Sequence, residues 1–181
     1  MALSRDFYQR KTLDVAKELL GCFLVRKMGR KIIRARITEV EAYIGEDDLA
    51  CHASKGRTQR TEIMYGAAGH AYVYLVYGMY HCLNMVTEAK EFPAAVLIRA
   101  VEVEGVAHKE TNGPGKLCRF LHIDRTLNGW DITRGEKLWI ESGKLRNNET
   151  IMAAERVGID YAQYCKEYLW RFTLSALEKQ K

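Results

Sequence analysis

Residues 31–43 constrain the fold more than any other segment, because apolar and polar side chains alternate there as they do along a long β-strand. One face of this predicted strand begins apolar and ends acidic. It carries Ile33, Ala35, Ile37, Glu39, Glu41 and Tyr43, while Arg34, Arg36 and Thr38 fall on the other face. A carboxylate at the inner end of an apolar face loses contact with water. Glu41, or its neighbour Glu39, is therefore either a reactive group or one half of a structural ion pair.

A second strand pattern, residues 69–86, is rich in aromatic residues and interrupted by Gly78. This pattern predicts a β-hairpin with Tyr77 at or near its turn, and with Tyr72 and Tyr74 on one side. The tyrosines of this hairpin can be interpreted in two ways. They are core residues whose hydroxyl groups find partners at the edge of the core, or they are surfaces on which nucleic acid bases stack.

Residues 94–102 are almost continuously apolar and include a single arginine, Arg99. Such a strand is usually buried on both faces. Because a guanidinium group does not lose its charge, Arg99 requires an anion. Glu41 or Glu39 is the natural partner, and Glu102 or Glu104 would hold it for structural reasons alone.

Positive charge is placed in two segments that suit phosphate contacts. Residues 53–61 form a polar loop that contains Arg57 and Arg60, and Gly113-Pro114-Gly115 opens a short helix with Lys116 close behind. The whole chain has a net charge of +5. A polyanionic partner is compatible with this charge, and so is a loop that contacts only water.

Length and composition favour one soluble domain spanning residues 1–181, and the strand and helix patterns along the chain predict the α+β class. We expect a mainly antiparallel sheet with peripheral helices and a protruding hairpin, closing with a strand at 170–172 and a short helix at 175–181. No signal peptide or membrane span is predicted, and the five cysteines lack a C-x-x-C pair, which is typical of reduced thiols in the cytoplasm. Neither a metal nor another cofactor is expected.

Several motifs in this order and spacing resemble the 3-methyladenine (alkyladenine) DNA glycosylase family. They are V-E-A-Y-I-G at 40–45 with His52 beyond it, Y-V-Y-L-V-Y-G-M-Y at 72–80 followed by Asn84, V-L-I-R-A at 96–100, G-P-G-K-L-C at 113–118, and R-V-G at 156–158. The resemblance extends from about Leu13 to Phe172, and it implies that the sheet is curved.

The resemblance implies a monofunctional enzyme of base excision repair. Such an enzyme flips an alkylated or deaminated purine out of double-stranded DNA, for example 3-methyladenine, 7-methylguanine or hypoxanthine, and hydrolyses its N-glycosidic bond. The implied catalytic roles are the general base for Glu41, and the binding of the attacking water for Arg99 and for the backbone carbonyl of Val157. The base would lie between Tyr43 on one side and His52 with Tyr74 on the other. Asn84 would crowd the amino group of normal guanine, and Tyr77 would fill the gap left in the duplex.

The chain departs from the family at Gln59 and Thr61, which lie where T-P-R-N is common, so its DNA contacts there are expected to differ in detail. No lysine is placed as a Schiff-base nucleophile, and we expect no lyase activity. The protein is expected to be a monomer, nucleoid-associated if bacterial and nuclear if eukaryotic. Two alternatives are a non-catalytic nucleic-acid-binding module and a hydrolase of free nucleosides.

Overall fold

The computed structural model describes residues 1–177. It contains three α-helices, α1 (Arg5–Tyr8), α2 (Thr12–Leu19) and α3 (Pro114–Phe120). The strands are β1 (Phe23–Met28), β2 (Lys31–Ile44), β3 (Ala71–Val76), β4 (Tyr80–Val86), β5 (Ala94–Glu102), β6 (Leu138–Glu141), β7 (Glu149–Ala154) and β8 (Arg171–Ala176). Short 3-10 helices occupy several of the connections, including His52–Lys55 and Asp160–Glu167.

The strands form one sheet in the order β3-β4-β5-β2-β1-β6, and each pair of neighbours is antiparallel. The long strand β2 is central. One edge of it pairs with β5, while the other edge pairs first with β1 and then with β8, which also pairs with β7. The predicted α+β class and mainly antiparallel sheet are confirmed. Within residues 1–177, no helix is long and apolar enough to span a membrane.

A double irregularity in the pairing of β2 with β5 determines which side chains face the site. The register passes from Ile37 opposite Val101 to Glu39 opposite Ala100, and then to Val40 opposite Ile98. One extra residue is thus inserted in each strand, Thr38 in β2 and Arg99 in β5. Because an inserted residue reverses the alternation of faces, the side chains beyond it exchange sides.

The prediction that Glu39, Glu41 and Tyr43 continue the apolar face of β2 is therefore wrong. The main core takes Ile33, Ala35 and Ile37 before the bulge, and Val40 and Ala42 after it. The same reversal occurs in β5, whose core residues are Val96, Ile98 and Val101. As a result the two glutamates and Arg99 share the face opposite the core.

Helices cover the core side of the sheet. Helix α2 contributes Val15, Ala16 and Leu19 to the core, and α3 contributes Leu117 and Cys118. All five cysteines are buried and free.

The C-terminal prediction needs correction. Ser175 and Ala176 belong to strand β8, where they pair with Thr150 and Glu149, so they do not begin a helix. Leu177, which follows, is not helical either, and residues 178–181 of the predicted helix lie outside the described residues.

Candidate active site

A cavity of about 450 Å³ opens on the face of the sheet opposite the main core. The structure brings most of the predicted site residues to its lining. These are Tyr43, His52, Arg60, Tyr74, Tyr77, Asn84, Arg99 and Val157. They come from β2, β3, β4, β5 and the loops that follow β2, β3 and β7, so the sheet holds together groups that are far apart in sequence.

Glu41 lies directly behind this lining, and its side chain has no exposed surface. Its Oε2 accepts hydrogen bonds from the Tyr43 hydroxyl at 2.8 Å and from Arg99 Nη1 at 3.3 Å. Its Oε1 accepts one from the Val157 N–H at 2.8 Å. An ionised carboxylate offers about four acceptor positions. The described protein donors fill both positions of Oε2 and one of Oε1, so one acceptor position remains on Oε1.

Arg99 is the cation that compensates the negative charges of Glu41 and Glu39. Its Nε donates to Glu39 Oε1 at 3.0 Å, and its Nη1 donates to Glu41, so the predicted pairing with the β2 glutamates is confirmed. Burial acts to lower the pKa of Arg99, but Glu41 and then Glu39 outweigh it, and the net pKa is raised. Arg171 on β8 provides a second cation for Glu39, at 3.2 Å. Arg99 therefore remains charged next to Glu41.

Tyr43 combines an aromatic face with a hydrogen bond to the acid. It lies two residues beyond Glu41 on the same face of β2, which allows its hydroxyl to reach back to the carboxylate. Burial, and then the charge of Glu41, raise the pKa of Tyr43 well above its ordinary value. The Tyr43 hydroxyl thus keeps its proton and donates a hydrogen bond to Glu41.

An aromatic cluster lies elsewhere in the lining. The His52 and Tyr74 rings meet edge to face at 4.5 Å between centroids, and the Tyr72 ring lies 5.1 Å from Tyr74. A ring nitrogen of His52, Nδ1, is 2.9 Å from the Tyr72 hydroxyl, a partner that no local sequence pattern predicts. The rings therefore hold one another in place before any ligand arrives.

His52 is predicted to remain neutral at physiological pH. Burial, then Arg60 and Lys55, lower its pKa to about 4. Between about pH 4 and pH 6.5, His52 is protonated in the unfolded chain, where its pKa has the ordinary value of about 6.5, but not in the folded chain. The contribution of His52 to stability is thus complete above about pH 6.5 and declines as the pH falls toward 4. An NMR titration of the His52 ring measures this directly, and a midpoint near 6.5 would contradict it.

Asn84 lies at the buried end of the cavity, and Tyr77 lies at its exposed end. Asn84 is buried, and its Nδ2 donates to the backbone oxygen of Tyr72 at 3.1 Å. Tyr77 is 87% exposed at the hairpin tip, where both it and Gly78 have positive φ. The predicted hairpin, with Tyr77 at its turn, is confirmed. A side chain held outside the core at a strained backbone position is typical of a functional residue.

The predicted phosphate-binding residues differ in their surroundings. Arg57 forms ion pairs with Glu62 and Glu91, which compensate its charge. Arg60 lies 5.1 Å from the centre of the Tyr74 ring and has no acidic partner within residues 1–177. Lys116 is exposed on α3, where Gly115 packs closely on Tyr80 of the hairpin. Arg60 lines the cavity and Lys116 is exposed beside the hairpin, and within residues 1–177 neither forms an ion pair, whereas the charge of Arg57 is compensated.

No local sequence pattern predicts the ion pair behind the site. Asp48 and Arg156 are buried, and their side chains meet at 2.6 Å and 2.8 Å. An arginine next to Val157 was visible in the R-V-G motif, but its partner is 108 residues earlier and no local pattern links the two. In the described part of the chain, no three His, Cys, Asp or Glu side chains converge on a point, so no residue is assigned to a metal.

Comparison with known proteins yields one family. The model of the family described as Methylpurine-DNA glycosylase (MPG) matches residues 6–178. A protein of Methanocella arvoryzae is 50% identical over 183 residues, covering 94% of this chain and 90% of its own. One of an Anaeromyxobacter species is 52% identical, covering 96% and 89%, and one of Legionella pneumophila strain Corby is 47% identical, covering 94% and 92%. Each of these relatives is described as a 3-methyladenine DNA glycosylase.

Proposed function

Because this chain belongs to the methylpurine-DNA glycosylase family and is a DNA glycosylase, we propose that it uses Glu41 to hydrolyse the N-glycosidic bond of a damaged purine flipped out of duplex DNA. Its proposed substrates are alkylated purines such as 3-methyladenine and 7-methylguanine, and deaminated ones such as hypoxanthine. The observation that carries the proposal is the placement of the buried Glu41 carboxylate, which is bound by three groups that line an aromatic cavity.

The proposed reaction uses the remaining acceptor position of Glu41. A water molecule next to Oε1 gives a proton to the carboxylate as its oxygen bonds to C1′ of the sugar. The bond from C1′ to the purine nitrogen breaks, and its electron pair leaves with the base. Positive charge develops on the sugar in this step, and a nearby carboxylate stabilises that charge. Arg99 keeps Glu41 oriented throughout.

Aromatic groups suit the binding of a flipped base. Tyr43, Tyr74 and His52 line the cavity, and we expect a purine ring to bind between Tyr43 on one side and Tyr74 with His52 on the other. Stacking on an aromatic ring contributes about 1–3 kcal/mol per base. An alkylated purine that carries positive charge gains a cation–π contribution. Flipping costs a few kcal/mol and costs least for a damaged base, which adds selectivity.

The proposal is tested by incubating an excess of the protein with methylated duplex DNA and measuring the purines released. We expect free 3-methyladenine or 7-methylguanine together with abasic DNA, and no release from the corresponding free nucleosides. Release from nucleosides alone would instead identify a nucleoside hydrolase. Binding without release from any of these substrates, hypoxanthine included, would identify a binding module. A covalent DNA adduct trapped by borohydride would contradict the monofunctional mechanism.

Tyr77→Ala is expected to weaken binding to lesion-containing duplex DNA about tenfold or more, because an inserted side chain offsets the cost of unstacking. Folding is expected to remain unaffected, since Tyr77 is 87% exposed and makes no core contacts. Titration of a fluorescent duplex measures the affinity, and Leu177→Ala, 52% exposed outside the cavity, is the control. Equal affinity of Tyr77→Ala and the native protein would exclude the wedge role.

A further inference from the structure

The buried ion pair between Asp48 and Arg156 lies behind the cavity and is not explained by the proposed reaction. Both side chains are essentially inaccessible, 1% exposed for Asp48 and 0% for Arg156. The guanidinium binds the carboxylate through two nitrogens, at 2.6 Å and 2.8 Å. Removing two charges from water is costly, and an apolar pair often stabilises a core as well or better. Stability alone is therefore a poor explanation of this pair.

Arg156 also joins three segments around the site. Its Nη1 donates to the Ala42 carbonyl of β2 at 2.9 Å, and its Nη2 donates to the Cys165 carbonyl at 3.1 Å. Asp48 accepts two further bonds, from the N–H groups of Ile44 at 3.2 Å and Ala50 at 3.1 Å. The pair thus joins the end of β2, the loop that follows it and the 3-10 helix Asp160–Glu167 to the segment that carries Arg156.

Two of the three hydrogen-bond donors to Glu41 are in contact with Arg156, one as its neighbour in the chain and the other through its ring. Val157, whose N–H binds Glu41 Oε1, follows Arg156 in the chain. Tyr43, whose hydroxyl binds Glu41 Oε2, has its ring 4.8 Å from the Arg156 guanidinium. The Trp170 ring, 5.0 Å away, also contacts this guanidinium. A displacement of Arg156 would therefore move the Val157 amide and the Tyr43 ring together.

We propose that Arg156, held by Asp48, is a positioning residue for Glu41, which it serves by keeping the Val157 N–H and the Tyr43 hydroxyl against the carboxylate. This inference rests on the proposed function, in which Glu41 accepts a proton from water. A carboxylate that loses hydrogen-bond donors holds its proton more tightly and is ionised only at higher pH. The charged or titratable groups near Glu41 are Glu39 and Tyr43 on β2, Cys82 on β4, Arg99 on β5, Arg171 opposite Glu41 on β8, and Arg156. Only the contacts made by Tyr43 and Val157 depend on Arg156.

Arg156→Lys is the main test, because lysine retains the charge opposite Asp48 but lacks the planar group that packs on Tyr43 and reaches two carbonyls. We expect single-turnover release of 7-methylguanine at neutral pH to fall by about 100-fold, the scale of a small misplacement of a reacting group. The acid limb of the rate–pH profile is expected to move to higher pH, and the protein is kept in excess so that weaker binding of the DNA does not cause the change. A folded variant with the native rate and profile would overturn the proposal.

Arg36→Lys is the matched control. Arg36 is also a nearly buried arginine, 6% exposed, that binds Glu149 through two nitrogens at 2.9 Å and 2.7 Å and also binds a carbonyl. Its neighbours do not line the cavity. We expect Arg36→Lys to lose stability but to keep the native acid limb. An equal shift in this control would show that general destabilisation causes the effect, and would overturn the proposal.

Tyr43→Phe decides the question if Arg156→Lys does not fold. This change removes the hydroxyl that binds Glu41 and keeps the ring. We expect a folded protein whose acid limb is shifted to higher pH, and a native profile would overturn the proposal. If the native protein releases bases in a Glu41-dependent way and neither variant changes the profile, only this inference fails. If the native protein releases no base, the proposed function fails with it.

Discussion

Glu41→Gln is expected to lower the single-turnover rate of base release by about 10²- to 10⁴-fold, the range typical of losing a general base. Glutamine has nearly the size of glutamate, but it neither accepts the proton of water nor stabilises positive charge on the sugar. The measurement is the release of 7-methylguanine from duplex DNA with the protein in excess. Under these conditions each DNA site reacts once, and weaker binding is compensated by concentration.

Glu39→Gln is the matched control for this change. Glu39 lies on the same face of β2 and binds Arg99 and Arg171, but its carboxylate is not bound by Tyr43 or Val157. We expect a smaller loss, because Arg99 retains its bond to Glu41. Equal losses in the two variants would assign Glu41 to a structural ion pair, the alternative that the sequence left open.

Arg156→Ala is expected to destabilise the fold by about 3–5 kcal/mol, because it leaves the Asp48 carboxylate buried without its cation. For a chain of this size, such a loss lowers Tm by roughly 10 °C. Urea unfolding measures the change in the free energy of unfolding. This expected loss is also the reason that lysine, and not alanine, suits the test of positioning.

The control for this prediction is Arg10→Gln. Arg10 binds Glu18 through two nitrogens as well, at 2.9 Å and 2.8 Å, but its side chain is 41% exposed and that of Glu18 is 54% exposed. Exposed pairs contribute about 0–1 kcal/mol, so little change is expected. If Arg10→Gln and Arg156→Ala lowered the free energy of unfolding by similar amounts, burial of the Asp48–Arg156 pair would not explain the effect of Arg156→Ala.

Local patterns were sufficient to predict most of the strands. The strand at 31–43, the strand at 94–102 and the hairpin with Gly78 near its tip depend on neighbouring residues, and all are present. The anion that pairs with Arg99 was also predictable, since a buried guanidinium restricts the choice to a few nearby acids.

The direction of Glu41 was not predictable in this way. Alternation extrapolated from Ile33 to Tyr43 gives the wrong face, because the inserted residues Thr38 and Arg99 have no distinctive local pattern. The bulge depends on how two distant strands meet. The roles of the site residues came from the resemblance to a family, and alternation alone offered only a choice between a reactive and a structural carboxylate.

Two further contacts of the site could not be predicted from local patterns, because they are long-range in sequence. The Asp48–Arg156 pair and the bond from the Val157 N–H to Glu41 join residues more than 100 positions apart. Such contacts exist only once β8 has paired with β2 and the segment after β7 has closed over the strand ends.

The most direct test of Glu41 as the general base is the pH dependence of 7-methylguanine release by the native protein and by Glu41→Gln. This base is already cationic and needs no acid, so ionisation of the general base should dominate the acid limb. We predict a native rate that rises tenfold per pH unit at low pH and then levels off. The residual rate of Glu41→Gln should show no such rise. The same acid limb in both proteins would contradict the assignment and would place the reactive group elsewhere in the cavity.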